Sequence, residues 1–383
     1  MEGLAICSKG TENIAALEIK ELIKSNAKVL DSCVLFDIKK LEDLCLLCYK
    51  AQSIEKVLFY FNNFEFDKLQ EKLKETIKNI NFGQWLDEKT TFRVTCKKIN
   101  PDNISSEEIA GNVGALIIEH IKKNKKYKPK VELDNPDITF LLFINKSTAY
   151  FGIDFSGRDL QKREYKLFAH PRSLRATIAY SLVRIADLKP KETLLDPFCN
   201  SGEIPIEAAL FTTNFPVNYF SKEKFSFLKF KPFKKFNFNK FFINIDKKII
   251  KTKKPLISCL DTKMINLSAA KKNAKIAGIN KSLNFSRMDT EWLELKIKKE
   301  NIGKIVTHLP EATKHTNQKD IEKIYNEFFY QAEFILKKQG KITIILKDTE
   351  LLKKAAEKYK FKTENEIEVH EGKEPFKVIT FSK

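Results

Sequence analysis

Residues 194–210, LLDPFCNSGEIPIEAAL, combine residue types that suggest ligand binding. An apolar run stops at Asp196, a short polar turn follows, and apolar helix-forming residues begin at Ile204. A strand, a tight turn and a helix in that order present backbone N–H groups to ligands at the carboxyl edge of an open α/β sheet. Gly202 suits a turn position with positive φ, and Asn200 tolerates positive φ at least cost among non-glycine residues. The segment is therefore predicted to form a ligand-binding turn.

The elements around this turn predict the fold of the C-terminal half. From residue 192 onward, strand-like and helical runs alternate as far as KITIIL at 341–346. Alternation of this kind predicts a mostly parallel, doubly wound sheet, which is an α/β fold. Gly278 follows a helical run at the position expected of a C-terminal cap. In the N-terminal half the pattern predicts mixed strands and helices, with residues 59–82 helical and Ser105 capping a helix that ends in lysines.

Composition favours a polyanionic partner. The 383 residues include 69 basic and 50 acidic side chains, giving a net charge of +19. Such an excess favours RNA, because neutralised phosphates release counterions. An AT-rich genome that enriches lysine is the alternative explanation. No stretch of eighteen apolar residues and no secretory signal is present, so no membrane association is predicted.

Cysteine and histidine usage predicts neither disulfides nor a metal. The seven cysteines are scattered and odd in number, which is typical of reduced thiols in a cytoplasmic protein. Cys45 and Cys48 lie in an apolar helical pattern and are interpreted as core residues. The histidines have no metal-ligand spacing with the cysteines, including His170 and His315, so no metal is predicted.

An unusual segment interrupts the second half. Residues 216–254 contain 12 lysines and 9 phenylalanines but only two acidic residues. Basic residues interleaved with aromatics suit a surface that binds phosphates and stacks on bases. Alternatively, the segment is an insertion whose phenylalanines pack on the sheet and whose lysines are only solvated. Both interpretations can hold together.

Three motifs together resemble the THUMP-domain RNA methyltransferases, whose members make N2-methylguanosine in tRNA or in ribosomal RNA of the large subunit. They are SGRDL-x-KR-x-Y at 156–165, the turn DP-x-C-x-SG-x-IPIEAA, and the helix KKNAKIAG. The resemblance covers essentially the whole chain. It implies an N-terminal ferredoxin-like region at 1–60, a THUMP RNA-binding domain at 61–155, a basic linker with a helix at 156–188, and a Rossmann-type class I methyltransferase domain at 189–383 that includes the insert 216–254.

The family uses S-adenosylmethionine, so the resemblance implies a site for this cofactor. By match to the family, Asp196 organises its methionine end, Asp261 accepts the two ribose hydroxyls, and Asp289 lies beside the adenine. An acceptor-only carboxylate is suited to two adjacent hydroxyl donors. The turn itself is formed by Cys199, Ser201 and Gly202. Each aspartate has an alternative interpretation as a turn or helix cap after a strand.

Two departures from the family pattern bear on activity. Glycine and a small residue usually stand where this chain has Asn200 and Glu203, so weaker cofactor binding is expected. The family's Asn-Pro-Pro-Tyr motif, which accepts the guanine amino protons and stacks on the flipped base, is replaced by His308-Leu309-Pro310-Glu311. His308 and Pro310 are the candidate catalytic residues by position. His308 is interpreted either as a replacement acceptor or as a loop residue in a decayed site.

Three functions remain compatible with these features. The first is methylation of a guanosine by an RNA methyltransferase, with tRNA as the expected partner. The second is a catalytically degenerate RNA-binding paralogue that acts as a scaffold or partner subunit. The third, a methyltransferase for small molecules, would make the THUMP region incidental. The candidate RNA-binding residues are Lys125, Lys126, Arg158, Lys162, Arg163, Arg172 and Arg175.

Overall fold

The computed structural model describes residues 1–66, 69–99, 105–125, 127–312 and 317–383. The chain divides into two compact units. The first unit contains Met1–Cys7, Ala15–Leu160 and Ser221–Asn244, and the second contains Ser8–Ile14, Gln161–Phe220 and Ile245–Lys383. Each unit therefore combines segments that are far apart in sequence. Candidate residues Lys126 and His315 lie outside the described residues.

The elements described within residues 1–160 form one eight-stranded sheet with its helices. In chain order the elements are β1 (Glu2–Cys7), α1 (Glu12–Ile23), β2 (Ala27–Leu30), β3 (Cys33–Asp37), α2 (Glu42–Lys50), β4 (Ile54–Glu65), α3 (Leu69–Lys78), β5 (Thr91–Lys98), α4 (Ser106–Lys125), β6 (Lys130–Val131), β7 (Ile138–Asn145) and β8 (Thr148–Asp154). The strand order is β2-β3-β1-β4-β8-β7-β5-β6. Ser105 accepts a hydrogen bond from the Glu108 amide at 3.0 Å, which confirms the predicted cap.

The predicted helix over residues 59–82 is wrong in its first part. Residues up to Glu65 continue β4, and the helix α3 begins at Leu69. The aromatic-rich run in this segment has high β-propensity, and β4 pairs with β1 on one side and β8 on the other. The predicted boundary at residue 60 therefore falls inside a strand of the shared sheet.

The C-terminal half contains α5 (Ala176–Ile185), β9 (Leu194–Asp196), α6 (Glu203–Thr212), α7 (Phe238–Asp246), β10 (Ile257–Asp261), α8 (Met264–Ile276), β11 (Leu283–Arg287), α9 (Leu293–Lys296), β12 (Ile302–Thr307), α10 (Gln318–Ile335), β13 (Leu336–Leu346), α11 (Glu350–Lys358), β14 (Lys362–Glu371) and β15 (Glu374–Ser382). The strand order is β11-β10-β9-β12-β13-β15-β14.

The second unit is a doubly wound α/β layer structure, as predicted. The strands β9 to β13 run parallel, and β15 pairs antiparallel with β13 and β14. One apolar cluster packs α5, α6 and α8 on one face of the sheet, and a second packs α10 and α11 on the other. Because β9, β10 and β12 are parallel neighbours, the loops that follow them meet at one edge.

The Lys/Phe-rich insert contributes its central residues to the first unit. Phe225, Phe227 and Phe230 are buried, and the Phe230 ring lies 5.0 Å from that of Phe155. The interpretation as a segment anchored by its phenylalanines is therefore supported, but residues 221–244 pack in the first unit and not in the second. Sequence order alone could not reveal this, because the partners lie about 70 residues or more upstream.

The described residues contain neither a helix long and apolar enough to cross a membrane nor a group of three His, Cys, Asp or Glu side chains arranged to hold a metal ion. None of the seven cysteines is paired in a disulfide, and both Cys45 and Cys48 are buried, as predicted. Burial raises the pKa of each of these two thiols well above its usual value.

Candidate active site

The turn after β9 has the backbone conformation that its sequence predicts. Asn200 adopts φ +48° and Gly202 adopts φ +89°, so both lie in the left-handed region. A Cβ added at Gly202 would lie 2.9 Å from the Cβ of Ala270, which leaves no room for a larger residue. The Asn200 side chain donates to the Phe198 carbonyl at 3.0 Å and stabilises the turn. Asparagine is therefore an adequate substitute for glycine at this position.

Glu203 does not line the cavity beside this turn. Its side chain is buried, and one carboxylate oxygen accepts hydrogen bonds from the Ser173 and Ser201 hydroxyls at 2.8 Å each. The ammonium group of Lys166 lies 3.7 Å from the same oxygen. Because these donors offset its negative charge, this arrangement argues against strong repulsion of a cofactor carboxylate by Glu203.

A cavity of about 520 Å³ opens where the loops after β9, β10, β11 and β12 meet. Its volume is within the range of small-molecule sites. The described residues that line it all belong to the second unit. They include the sequence candidates Asp261, Asp289, Pro310 and Arg172, together with Asn200, His170, Phe198, Lys263 and Asn266.

Asp261 organises one wall of this cavity. Its Oδ2 accepts from the Asn200 amide at 3.1 Å, and its Oδ1 accepts from the Lys263 amide and the Asn266 side chain at 2.9 and 3.0 Å. A carboxylate has about four acceptor positions, so Oδ2 retains one for a further donor. Asp289 is exposed, lines the cavity and caps a short 3-10 helix by accepting from the Glu291 amide at 3.2 Å.

Three other cofactor candidates support the turn from behind and do not line the cavity. The carboxylate of Asp196 is buried and accepts from the Thr307 hydroxyl at 2.7 Å and the Phe198 amide at 3.2 Å. Cys199 is buried, and burial raises the pKa of its thiol. Ser201 is buried, and its hydroxyl oxygen lies 2.6 Å from that of Ser173. Direct cofactor contacts by these three side chains are therefore not supported.

Burial raises the pKa of Asp196 to about 7. The folded protein thus binds this proton more tightly than the unfolded chain, whose aspartates titrate at about 4. Stability should accordingly fall as pH rises from about 4 to about 7, by roughly a few kcal/mol from this group. We expect Asp196→Asn to remove that part of the decline, measured by urea unfolding at several pH values. An identical pH dependence in both proteins would contradict this prediction.

The loop after β12 places the two candidate catalytic residues differently. Pro310 lines the cavity, and its carbonyl accepts from the Tyr325 hydroxyl at 2.8 Å. His308 is buried, and neither of its ring nitrogens has a hydrogen-bond partner among the described residues. Its Nε2 lies 3.7 Å from a carboxylate oxygen of Glu311, which is beyond hydrogen-bond distance. Glu311 accepts from the Lys347 amide at 2.5 Å.

Arg172 crosses to this loop, a contact that sequence reasoning missed. Its Nη2 donates to the backbone carbonyl of His308 at 3.1 Å and also to that of Leu309. Burial lowers the pKa of the guanidinium, but arginine remains charged. Arg172, a candidate RNA-binding residue, also lines the cavity. No local signal could reveal the pairing, because the partners are more than 130 residues apart.

Arg163 is a second correction. It is 6% exposed, and its Nε lies 3.0 Å from a carboxylate oxygen of the buried Glu207. The hydroxyl of Tyr165 donates to the same carboxylate at 2.7 Å. Arg163 therefore anchors the segment before α5 and is not available to RNA. The sequence offered no local signal for this pairing, because Arg163 and Glu207 are 44 residues apart.

The other basic candidates are more accessible. Lys125 and Lys162 are exposed, Arg158 is half-buried, and Arg175 is half-buried with a hydrogen bond to Gln161 at 3.0 Å. Within the first unit, Lys125 also lines a cavity of about 280 Å³ with Lys78 and His120. This basic cavity suits a phosphate better than an apolar ligand.

The second unit has the fold of a methyltransferase domain, and comparison with known proteins identifies the family. Residues 163–375 match the RMKL-like methyltransferase domain, and residues 69–154 match the THUMP domain. The chain belongs to the RMKL-like methyltransferase family and contains a THUMP domain.

Curated relatives match nearly the full length. The chain is 29% identical to a tRNA (guanine(6)-N2)-methyltransferase of Methanocaldococcus jannaschii, over 97% of this chain and 95% of the relative. A protein of the same name from Archaeoglobus fulgidus is 25% identical over 98% and 91% of the two chains. The crystal structure of a possible methylase from Clostridium difficile 630 matches with a TM-score of 0.83 at 22% identity, covering 100% of this chain and 97% of that one. This structural likeness supports the fold alone.

Proposed function

We propose that the protein transfers a methyl group from S-adenosylmethionine to the 2-amino nitrogen of a guanosine in tRNA. The single observation that carries the proposal is the cavity that keeps Asp261 and Asp289 at the ends of β10 and β11 beside a left-handed Asn200. The full-length similarity to two tRNA (guanine(6)-N2)-methyltransferases supports the choice of substrate. A cytoplasmic location is part of the proposal and is supported by the free thiols.

The cavity fits the cofactor by its donors and acceptors. The remaining acceptor position on Asp261 Oδ2 would take one ribose hydroxyl, and Asp289 would accept from the adenine amino group. When bound, S-adenosylmethionine supplies an electrophilic methyl group. The residues of this chain would orient the acceptor nitrogen and exclude water. Pro310, which lines the cavity, would take part in both.

RNA binding is proposed for the first unit. Its support is the THUMP match, the basic cavity with Lys78 and Lys125, and the exposed lysines of the insert. Lys231 and Lys234 of the insert lie near this region, since Lys231 donates to the Gly83 carbonyl at 3.3 Å. Lys234 lies 4.0 Å from Asp87. An electrostatic interface of this type loses affinity steeply as salt is added.

A second candidate function is that of a catalytically degenerate RNA-binding paralogue. The observation that favours it is the buried His308, whose ring nitrogens have no partner among the described residues and do not line the cavity. A histidine held in this way does not reproduce the acceptor geometry of an amide. The two candidates differ in cofactor binding and in chemistry, but they share RNA binding.

Calorimetric titration with S-adenosylmethionine and with S-adenosylhomocysteine separates the two candidates. We expect micromolar binding of both, followed by the appearance of N2-methylguanosine in tRNA incubated with enzyme and cofactor. Absence of binding at millimolar cofactor would contradict the methyltransferase and leave the paralogue. A parallel titration with tRNA at increasing salt tests the shared part, and affinity that does not change with salt would contradict it.

A further inference from the structure

At the edge of the cavity, a guanidinium nitrogen is held between two backbone carbonyls. The group is Nη2 of Arg172, and the carbonyls belong to His308 and Leu309, which directly follow β12. Arg172 and Pro310 line the same cavity as Asp261 and Asp289. Arg172, whose guanidinium covers the two carbonyls, therefore borders the same cavity as the proposed cofactor site.

Two adjacent carbonyl oxygens select a particular kind of ligand. Each accepts a hydrogen bond and donates none, so together they suit a planar nitrogen that carries two N–H groups. The guanidinium of Arg172 meets that requirement, and its nitrogen is attached to a carbon that bears two further nitrogens. The 2-amino nitrogen of guanine has the same guanidine skeleton. The amino groups of adenine and cytosine are attached to a carbon that bears only one other nitrogen.

We infer that Arg172 occupies the subsite for the acceptor amino group, as a substitute within the chain for the guanine 2-amino group, and that substrate must displace it. This inference rests on the proposed function. Both N–H groups of a substrate nitrogen held by these carbonyls would be engaged in the plane of the base. Its remaining electron density would be available for the methyl group above that plane.

The displacement involves the side chain and not its backbone. Asn273 holds Phe168 through hydrogen bonds of 3.1 Å to its amide and 3.0 Å to its carbonyl. On the other side, the Ser173 hydroxyl donates to the Glu203 carboxylate at 2.8 Å. Rotation of the Arg172 side chain therefore vacates the subsite while the segment around it stays anchored. In the resting protein, this competition reduces the fraction of molecules that can accept a guanine.

Guanosine and inosine 5′-monophosphates provide a matched pair of probes, because they differ only in the 2-amino group. We expect Arg172→Ala, saturated with S-adenosylhomocysteine, to bind the guanosine nucleotide at least about tenfold more tightly than wild type does, since a vacant subsite no longer has to be opened. The variant should also prefer it over the inosine nucleotide by a similar factor. Arg184→Ala removes an arginine of α5 that lies outside the cavity, and it should behave like wild type.

Equal binding of the two nucleotides by Arg172→Ala would overturn the inference, as would guanosine nucleotide binding no tighter than in wild type. If Arg172→Ala does not fold, Arg172→Gln replaces it, since glutamine is too short to span both carbonyls from this position. Failure of the inference and failure of the proposed function give different results. Wild type that methylates tRNA together with a variant lacking discrimination refutes only the inference, and discrimination without any methylation of tRNA refutes only the function.

Discussion

Replacing Arg163 by methionine is expected to lower the free energy of unfolding by about 3–5 kcal/mol. The reason is the buried carboxylate of Glu207, which would lose its charged partner at 3.0 Å. Removing one partner of a buried ion pair is strongly destabilising, because the charge that stays behind loses part of the compensation for its desolvation. Urea unfolding, followed by far-ultraviolet circular dichroism, measures the change.

The adjacent Lys162 provides the control. It is exposed, so Lys162→Ala should change stability by no more than about 0.5 kcal/mol. The double variant Arg163→Met/Glu207→Gln should recover much of the lost stability, because glutamine keeps an acceptor for Tyr165 without the charge. A small change in the free energy of unfolding of Arg163→Met, combined with weaker tRNA binding, would contradict this prediction and indicate that Arg163 contacts RNA.

Asp261→Ala is expected to weaken S-adenosylmethionine binding by about 10- to 100-fold, the range that corresponds to one hydrogen bond with a charged partner. Asp261 would accept a ribose hydroxyl, and it also holds the amide of Asn200 at 3.1 Å and the side chain of Asn266 at 3.0 Å. Loss of these contacts disturbs both the cofactor and the turn that faces it. Calorimetric titration measures the affinity directly.

Asp289→Ala serves for comparison with Asp261→Ala. Asp289 is exposed and makes one backbone hydrogen bond, at 3.2 Å, so a smaller loss of affinity is expected. Thermal unfolding without cofactor separates binding from folding, because cofactor affinity can fall while the midpoint stays close to that of wild type. Unchanged affinity in Asp261→Ala would remove this carboxylate from the cofactor site.

Local features were predictable from the sequence because their causes are local. The left-handed conformation of Asn200 and Gly202, the cap at Ser105 and the parallel sheet all follow from residue type and periodicity. The second part of β4 is predicted as helix because an apolar run without clear alternation fits either element. Its pairing with β1 and β8 determines that it is a strand.

The features that the sequence did not reveal depend on contacts between distant residues. The sequence predicts that Glu203 repels the cofactor carboxylate. In the structure, Ser173 donates a hydrogen bond to the Glu203 carboxylate and the Lys166 ammonium lies close to it. Arg163 and Arg172 are both basic residues of one segment, yet one pairs with Glu207 and the other with two carbonyls more than 130 residues downstream. An exposed arginine and a buried arginine look alike in a sequence. Only the folded structure shows which of them is paired in the interior.

The insert also affects the order in which the protein can fold during synthesis. The first unit includes Ser221–Asn244, and the rings of Phe227 and Phe230 are fully or almost fully buried in it. A ribosome that has released only the first 160 residues has therefore not yet supplied this part of the core. The aromatic side chains that receive the insert, including Trp85 and Phe155, would stay uncovered until about 85 further residues have emerged, so the amino-terminal unit cannot complete its folding first.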